Sequence, residues 1–288
     1  MNTRPGSFRR SALGFTLVEA IVVIVLTGIL AGMVAVFIRA PIKAYFDVVN
    51  RAELTDIADT ALRRAARDIR AALPNSVRIA GTCDGIADCY LEFVPIKSAG
   101  RYREALTGGL PAGDILDFNS ALDTSFDVLG PGVNIQANDS IVVYNLGIAG
   151  SDTDVYTGLN RRAVPAGGVG TGLASVTFTN TAFPIPHASP ARRFQVVGRP
   201  ASYACSGGQL QGNGTGQLQK YSGYAFVATP QPQPPAGTPA ALATHVSSCR
   251  FLYQPLSQLS ALITLELGLT LNSETVSLVY QVHVHNVP

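Results

Sequence analysis

The sequence predicts an α+β fold in which one long N-terminal α-helix, transmembrane in its first half and amphipathic in its second, packs on an antiparallel β-sheet head. Two observations predict the helix: residues 20–38 form an uninterrupted run without charge, and helical periodicity then continues to residue 73. A third predicts the head. From residue 75 onwards, short alternating runs are separated by Gly, Pro, Asn and Asp, which is typical of strands and turns.

The composition excludes two broad classes of protein. The 288 residues are 47% hydrophobic and 14% charged, which is too apolar for a disordered chain. Lys and Arg number 21 against 19 Asp and Glu, so the chain lacks the general basic surface of many nucleic-acid-binding proteins. The 28 Gly and 18 Pro favour many turns, and therefore short strands rather than a helical bundle.

The apolar run at residues 20–38 is predicted to span a membrane. As a helix it is about 28 Å long at ~1.5 Å per residue, close to the ~30 Å hydrocarbon core of a bilayer. A secretory signal peptide is the alternative, but its apolar region is shorter and ends at an Ala-x-Ala site, which does not follow here. Three arginines precede the run and Arg39 and Lys43 follow it. This bias favours a cytoplasmic N-terminus and an exported, disulfide-permissive body.

A carboxylate lies at the edge of this run. Glu19 follows Gly14 and the string Phe15-Thr16-Leu17-Val18, which in turn follow a leader with Arg9 and Arg10. An ionisable residue at a membrane span indicates a function and requires a partner. In the sequence, the nearby partner would be an amine created by cutting the chain just upstream.

This motif resembles the type IV prepilin-like family, which includes minor pilins and pseudopilins, and the resemblance makes the predicted fold pilin-like. It implies that prepilin peptidase cuts after Gly14 and methylates Phe15 as the new N-terminus. It also implies that Glu19 neutralises the N-terminal amine of a neighbouring subunit during filament assembly. The family usually carries a helix-breaking proline where this chain has Val36, whereas the nearest proline here is Pro41. The position at which the helix softens therefore stays open.

The chain is predicted to contain four segments. They are a leader peptide at residues 1–14, a transmembrane and assembly helix at 15–38, an amphipathic stalk helix at 39–73 ended by Pro74, and a periplasmic β-rich pilin head at 75–288. The apolar residues of the stalk recur at steps of three and four: Leu54, Ile57, Ala58, Ala61, Leu62, Ala65, Ile69 and Leu73. The basic residues between Arg63 and Arg70 would fit a lipid or nucleic-acid patch, but interleaved acids favour an ordinary solvated face. We therefore expect no nucleic-acid partner.

The head is predicted to consist of short strands and one long hairpin. The short strands are Tyr90–Val94, Asp114–Phe118, Ile141–Asn145, Val176–Thr179, Phe194–Val197 and Tyr221–Val227. The hairpin joins residues 263–271 to 276–284 across Asn272-Ser273, with one apolar face that would cover the stalk helix. Residues 207–216 and 230–239 are predicted to be surface loops because they contain few apolar residues.

The four cysteines allow three disulfide connectivities. Their spacing favours Cys83–Cys89, around a short loop rich in turn formers, and Cys205–Cys249, across a long insertion whose closure a disulfide would stabilise. A zinc site is the alternative, but the sequence has neither a Cys-x-x-Cys motif nor histidines at zinc spacing. We expect no metal site.

The sequence carries no recognisable catalytic or cofactor motif. His283 and His285 lie on one face of a strand and are expected to face solvent, while His187 and His245 lie in loops. The segment around Asp152 and Asp154 lacks the spacing and the terminal glutamate of an EF-hand. We therefore expect neither an enzyme nor a cofactor.

Within the family, residues 9–90 and 246–288 resemble the minor pilins of mannose-sensitive haemagglutinin (MSHA) pilus biogenesis. The resemblance implies four kinds of partner: prepilin peptidase, other minor and major pilins, the inner-membrane assembly platform and the membrane itself. It places the protein in the bacterial inner membrane with a periplasmic head, and after assembly at the pilus tip or cell surface. A J-type minor pseudopilin of type II secretion and an anchored periplasmic ligand-binding or adhesive protein are the alternatives.

Overall fold

The computed structural model describes residues 14–105, 113–120, 122–179, 183, 188–230, 239–257 and 259–287. The chain divides into two compact units, Met1–Val49 and Asn50–Pro288. One helix, α1, comprises Leu17–Arg70 and therefore contributes to both units. The predicted leader, apart from its last residue Gly14, lies outside the described residues.

Helix α1 continues through Pro41 and ends at Arg70, before Pro74. Residues 71–73 leave the helix because their backbone groups form hydrogen bonds with the segment at residues 94–96. Leu73 N donates to Val94 O at 2.7 Å, and Ala71 O accepts from Ile96 N at 3.0 Å. Backbone pairing with residues 94 and 96 thus ends the helix one turn before Pro74, the residue that we expected to end it.

The head contains seventeen strands and one short 3₁₀ helix among the described residues. The first nine strands are β1 (Arg78–Gly81), β2 (Cys89–Phe93), β3 (Ile96–Tyr102), β4 (Ser125–Leu129), β5 (Val133–Ile135), β6 (Ser140–Val143), β7 (Arg161–Ala163), β8 (Gly170–Leu173) and β9 (Ser175–Thr177), with the 3₁₀ helix at Ala166–Gly168. The others are β10 (Arg193–Val197), β11 (Ala201–Ser206), β12 (Gln209–Leu210), β13 (Asn213–Gly214), β14 (Gly216–Ser222), β15 (Ala240–Ser257), β16 (Ser260–Leu271) and β17 (Glu274–His285).

Two antiparallel sheets organise these strands. The larger has seven strands in the order β1-β2-β11-β14-β15-β16-β17, and the second has six in the order β7-β6-β10-β3-β4-β9. Two small pairs, β12-β13 and β5-β8, complete the head. The predicted α+β class, with a long helix and an antiparallel head, is confirmed.

The larger sheet covers the second half of α1. Leu54, Leu62 and Ile69 are at most 1% exposed and share one apolar core with residues of the sheet. The sheet contributes Leu91, Phe93, Tyr203, Leu218, Val246, Phe251, Ile263, Leu265, Leu267, Leu269 and Val282. Burial of these side chains supplies the hydrophobic free energy that fixes the helix on the sheet.

The hairpin is the most accurately predicted element. Strands β16 and β17 pair without a register shift from Leu271↔Glu274 to Ser260↔His285. The turn residues Asn272 and Ser273 have φ of 51° and 70°, as a two-residue type I′ turn requires. Apolar residues of both strands face the core that contains α1.

Two predicted strands are wrong. Residues Asp114–Asp117 have no regular structure, because side chains take backbone donors there: Asp127 Oδ2 accepts from Asp114 N at 3.0 Å and Asp123 Oδ2 from Asp117 N at 2.6 Å. The strand expected at Tyr221–Val227 instead ends at Ser222, since Gly223 turns the chain with φ 82°.

The loop predicted at residues 207–216 is also wrong. It folds as the small hairpin β12–β13, and Gly216 begins β14. Polar contacts rather than apolar burial hold it: Asn213 Oδ1 accepts from Asn272 N at 2.8 Å and Gly212 O from Ser273 N at 2.7 Å. The other predicted loop, 230–239, lies largely outside the described residues.

Candidate assembly and processing site

The predicted processing junction immediately precedes the helix. Gly14, Phe15 and Thr16 are exposed and lack regular structure, and α1 begins at Leu17. A Cβ atom added at Gly14 would meet no atom within 4 Å. The fold of the described residues therefore does not require glycine at this position.

Thr16 caps the helix. Its Oγ1 accepts a hydrogen bond from Glu19 N at 3.3 Å, and its carbonyl oxygen accepts from Ala20 N at 3.2 Å. Thr16 and Glu19 thus occupy the first and last positions of a Thr-x-x-Glu capping box. The sequence contains this signature, whereas the resemblance to prepilins implies only an assembly role for Glu19.

The Glu19 carboxylate lies in the first turn of α1 and is exposed. The helix N-terminus carries partial positive charge, so it stabilises a carboxylate there by roughly 0.3–1 kcal/mol. Among the described residues no cation lies within ion-pair distance of Glu19. The carboxylate therefore keeps capacity for a positively charged partner.

The first unit of the chain exposes an apolar surface around the helix. Phe15, Leu17, Ile24, Leu30 and Phe37 are each at least 60% exposed. The helix contains a window with a mean hydropathy of 3.0, none of it buried, and is long and apolar enough to cross a membrane. The hydroxyl of Thr27 donates to Val23 O at 2.5 Å, so it leaves no unsatisfied donor in this segment.

Residues 9–35 match the family described as the prokaryotic N-terminal methylation motif. No curated protein and no solved structure matches the chain. The motif and the apolar helix support a type IV pilin- or pseudopilin-like, membrane-anchored protein. The motif also implies processing by prepilin peptidase and association with pilin partners.

The structure contains both disulfides that the cysteine spacing favours, Cys83–Cys89 and Cys205–Cys249. The described residues contain no free cysteine. Cys89 lies opposite Cys205 in the β2–β11 register, so the two bonds are neighbours in the larger sheet. Cys83–Cys89 ties the loop after β1 to the start of β2, and Cys205–Cys249 links strand β11 to strand β15.

A polar contact between helix α1 and the larger sheet, at Asp68, was not predicted from the sequence. Asp68 Oδ2 accepts from Tyr203 Oη at 2.6 Å and from Lys220 Nζ at 2.5 Å. Burial, and then the hydrogen bond to Asp68, raise the pKa of the Tyr203 phenol. The spacing of Asp68 within a charged stretch suggested only a solvated face, because its two partners come from strands β11 and β14 far along the chain.

The segment that follows α1 is fixed by three asparagines. Asn75 Nδ2 donates to Asn145 O at 3.0 Å and to Asn286 O at 3.1 Å, while Asn145 Nδ2 donates to Pro74 O at 2.7 Å. Gly147 has φ 65°, and a Cβ there would collide with Asn75 O. The end of the helix and the end of the chain are therefore held together.

Next to it, a buried ion pair joins β1 to β2. Arg78 Nε lies 2.5 Å from Glu92 Oε2, and the Arg78 guanidinium also donates to Val227 O and Ala228 O at 2.6 and 2.7 Å. Glu92 Oε1 accepts from Tyr224 Oη at 2.9 Å. This network fixes the segment after β14.

The remaining positions discussed from the sequence are the four histidines and the segment around Asp154. His283 and His285 are exposed, as expected. His245 lies in strand β15 rather than in the predicted loop and is half-buried with φ 59°, while His187 lies outside the described residues. Among the described residues no group of three potential metal ligands occurs. Asp154 is buried and its Oδ1 accepts from Tyr156 N at 3.0 Å, which is an ordinary turn contact.

Proposed function

We propose that this protein is a minor pilin of an MSHA-type type IV pilus, most similar to the MshO proteins. It is cut after Gly14 by prepilin peptidase, methylated on Phe15 and incorporated by helix–helix packing. Its task is to initiate or cap the filament, and it performs no catalysis. The observation that carries the proposal is an exposed Glu19 in the first helical turn, four residues after a sterically unconstrained Gly14-Phe15 junction.

Charge compensation gives the physical reason for assembly. An unpaired charge in an apolar membrane segment is unfavourable by up to about 2.5–3.5 kcal/mol, the insertion-scale value for the bilayer centre, and Glu19 lies at the edge of such a segment. Cleavage after Gly14 creates an amine on Phe15, and Glu19 has no cationic partner among the described residues. Pairing the amine of one subunit with Glu19 of its neighbour removes both unpaired charges, and the exposed apolar surface of the helix then packs between subunits.

The assignment to MshO rests on the stalk segments at residues 60–64 and 67–70, on the segment that follows the stalk and on the closing strand. Residues Leu73–Arg78 and the closing strand with Asn286-Val287-Pro288 resemble those proteins. Asn75 from the segment after the stalk donates to Asn286, which follows the closing strand, so these two resembling segments form one contact. The size of the head also resembles a large minor pilin. The expected partners are other minor and major pilins and the inner-membrane assembly platform, with the head in the periplasm.

A J-type minor pseudopilin of type II secretion remains the second candidate, because it shares the leader, the Arg-Asp stalk segment and a large β head. Deletion of the gene distinguishes the two. Loss of surface pili with intact protein secretion supports the pilus assignment, and the reverse result supports the pseudopilin. If neither process changes, the third candidate, an anchored ligand-binding or adhesive protein, gains support.

The proposal is tested by N-terminal mass spectrometry and pilus recovery in the same strains. Membrane-extracted protein from a strain with active prepilin peptidase should begin at methylated Phe15, and Gly14→Val should retain Met1. The Glu19→Ala variant should insert into the membrane normally but reduce recovered pili about tenfold or more, because one charge stays unpaired.

Each variant has a matched control. Gly28→Ala changes another glycine whose Cβ position is free, and it should be processed normally. Glu53→Ala removes an exposed carboxylate from the same helix outside the apolar segment, and it should assemble normally. An intact Met1 in wild-type protein, or undiminished piliation in Glu19→Ala, would contradict the proposal.

A further inference from the structure

A cleft of about 460 Å³ lies where edge strand β7 of the second sheet meets the segment after β14 of the larger sheet. Its lining includes Arg161, Arg199, Asn138, Ser140 and Phe226. A second cleft of about 450 Å³ shares Asn138, Asp139 and Arg199 with the first. The two form one depression of the size that small-molecule sites usually have.

Arg161 carries a half-buried charge without an acidic partner. Its Nε donates to Val155 O at 3.1 Å, and its guanidinium lies 3.5 Å from the centre of the Phe226 ring. Among the described residues no carboxylate lies within ion-pair distance of it. Burial, and then the neighbouring charge of Arg162, lower the pKa of Arg161 to about 10. A desolvated cation of this kind is unfavourable unless an anion compensates it.

Arg199 brings a second guanidinium to the same cleft. It is exposed and donates two long hydrogen bonds of 3.3 Å, to Gly223 O and Asn138 Oδ1. It too has no carboxylate within ion-pair distance in the described part of the chain. These neutral, long contacts leave its donor fork available, and a planar guanidinium fork matches a carboxylate.

The acid that lines the cleft does not compete for these arginines. The side chain of Asp139 is 1% exposed and lies 2.7 Å from Lys97 Nζ, while Asp139 Oδ2 accepts from Gln136 N at 2.8 Å. Asp139 Oδ1 has no hydrogen bond of good geometry, so its contact with Lys97 is chiefly ionic. Lys97 therefore neutralises Asp139, and the two arginines leave the cleft with net positive charge.

We propose that this cleft binds a sugar that carries a carboxylate group. The two guanidinium groups hold the carboxylate, the Asn138 amide and the Ser140 hydroxyl bond ring hydroxyls, and the apolar wall of Ala163, Val164 and Ala225 contacts the ring. None of these cleft residues belongs to the proposed processing and assembly site at Gly14, Phe15 and Glu19. The binding function is therefore additional to processing and assembly.

Calorimetric titration of the full chain in nanodiscs of neutral lipid, at low salt, tests the proposal. Glucuronate should bind, and glucose, which has the same ring without the carboxylate, should bind about tenfold more weakly or not at all. Arg199→Gln should weaken glucuronate binding about tenfold or more, as expected for loss of a charged hydrogen bond. Arg161→Lys, which keeps the charge but loses the fork, should also weaken it.

Arg193→Gln, an exposed arginine outside the cleft, serves as the matched control and should bind as the wild type does. Equal affinity for glucose and glucuronate, or unchanged binding in both cleft variants, would overturn the proposal. Acetate or inorganic phosphate binding as tightly as glucuronate would overturn the sugar assignment. Unchanged thermal melting of each variant shows that any loss of binding is not unfolding. The titration needs neither cleavage nor filaments, so its result is independent of the pilin proposal.

Discussion

The two halves of helix α1 differ in the solvent exposure of their apolar side chains. In residues 17–49, large apolar side chains are exposed, including Leu30 at 60% and Phe37 at 84%. In residues 50–70 the apolar positions are fewer and smaller, yet Leu54, Ala58 and Leu62 are at most 1% exposed. In one continuous helix, the apolar side chains of the second half are thus buried by the larger sheet of the same chain. Those of the first half can be buried only by contact with other molecules.

The difference shows that hydrophobicity alone does not locate a protein core. The second half buries a stripe with small alanines, which allows the sheet to approach closely, while its charged residues remain outside. Within the first half, residues 20–38 carry no charged side chain on any face. Lipid and neighbouring helices are the natural environments of a surface that is apolar all round.

The comparison is tested most strongly by equal substitutions in the two halves. Leu62→Ala should lower the free energy of unfolding of the head by about 2–5 kcal/mol, because it leaves a cavity in a closed core. Leu30→Ala should leave that free energy unchanged. Urea titration in nanodiscs, followed by the fluorescence of the ten tyrosines in this tryptophan-free chain, measures both. Equal effects of the two variants would refute the division of the helix.

A smaller effect is expected from alkaline pH. The folded state raises the pKa of Tyr203 above the unfolded value near 10, so this phenol stabilises the fold fully below about pH 10 and loses that contribution as pH rises further. Between pH 9 and pH 11 the loss should approach ~1.4 kcal/mol per tyrosine of this kind. Tyr156 and Tyr224 shift in the same direction.

In Tyr203→Phe, the fall in unfolding free energy between pH 9 and pH 11 should be reduced by about 1 kcal/mol relative to the wild type. Tyr45→Phe, an exposed tyrosine of the first half, should leave the pH dependence as it is. Urea titrations at the two pH values provide the measurement, and an unaltered slope in Tyr203→Phe would argue against the buried Tyr203–Asp68 contact.

The smallest effect is expected where the second half of the helix reaches the surface. Arg51 Nη2 lies 2.8 Å from Glu274 Oε2, but the arginine side chain is 65% exposed. Arg51→Gln should therefore change the unfolding free energy by less than about 1 kcal/mol, and high salt should abolish the difference. Arg39→Gln in the first half should have no effect on the head at any salt concentration. A salt-independent loss in Arg51→Gln would show that the pair is more deeply engaged than its exposure indicates.

Local signals predicted the elements that depend on neighbouring residues. The alternation on both sides of Asn272-Ser273 defined the hairpin, and the motif from Gly14 to Glu19 located the candidate site. Both are short-range patterns, in which the residues that interact are close in the sequence. The capping role of Thr16 is also a short-range pattern that could be predicted from the sequence, since Thr-x-x-Glu is a local signature of a helix N-terminus.

Long-range pairing decided the elements that were missed. Strand β15 has 18 residues and contains Pro255, and it is extended because β14 and β16 pair with it on both sides. Residues Asp114–Asp117 alternate like a strand, yet the carboxylates of Asp123 and Asp127 take their backbone donors. Neither outcome follows from propensity, because the partners lie elsewhere in the chain.

The sequence by itself determined the processing motif, the apolar segment, the helical stripe and the closing hairpin, because each is a periodic or contiguous pattern. Only the tertiary structure decided that Asp68 meets Tyr203 and Lys220, that Asn75 meets Asn286, and that Arg161 and Arg199 line one cleft. Those contacts join residues separated by tens to hundreds of positions. They exist because the tertiary fold packs the helix on the larger sheet and brings loops and strands of the two sheets together, and no local preference of the chain encodes that arrangement.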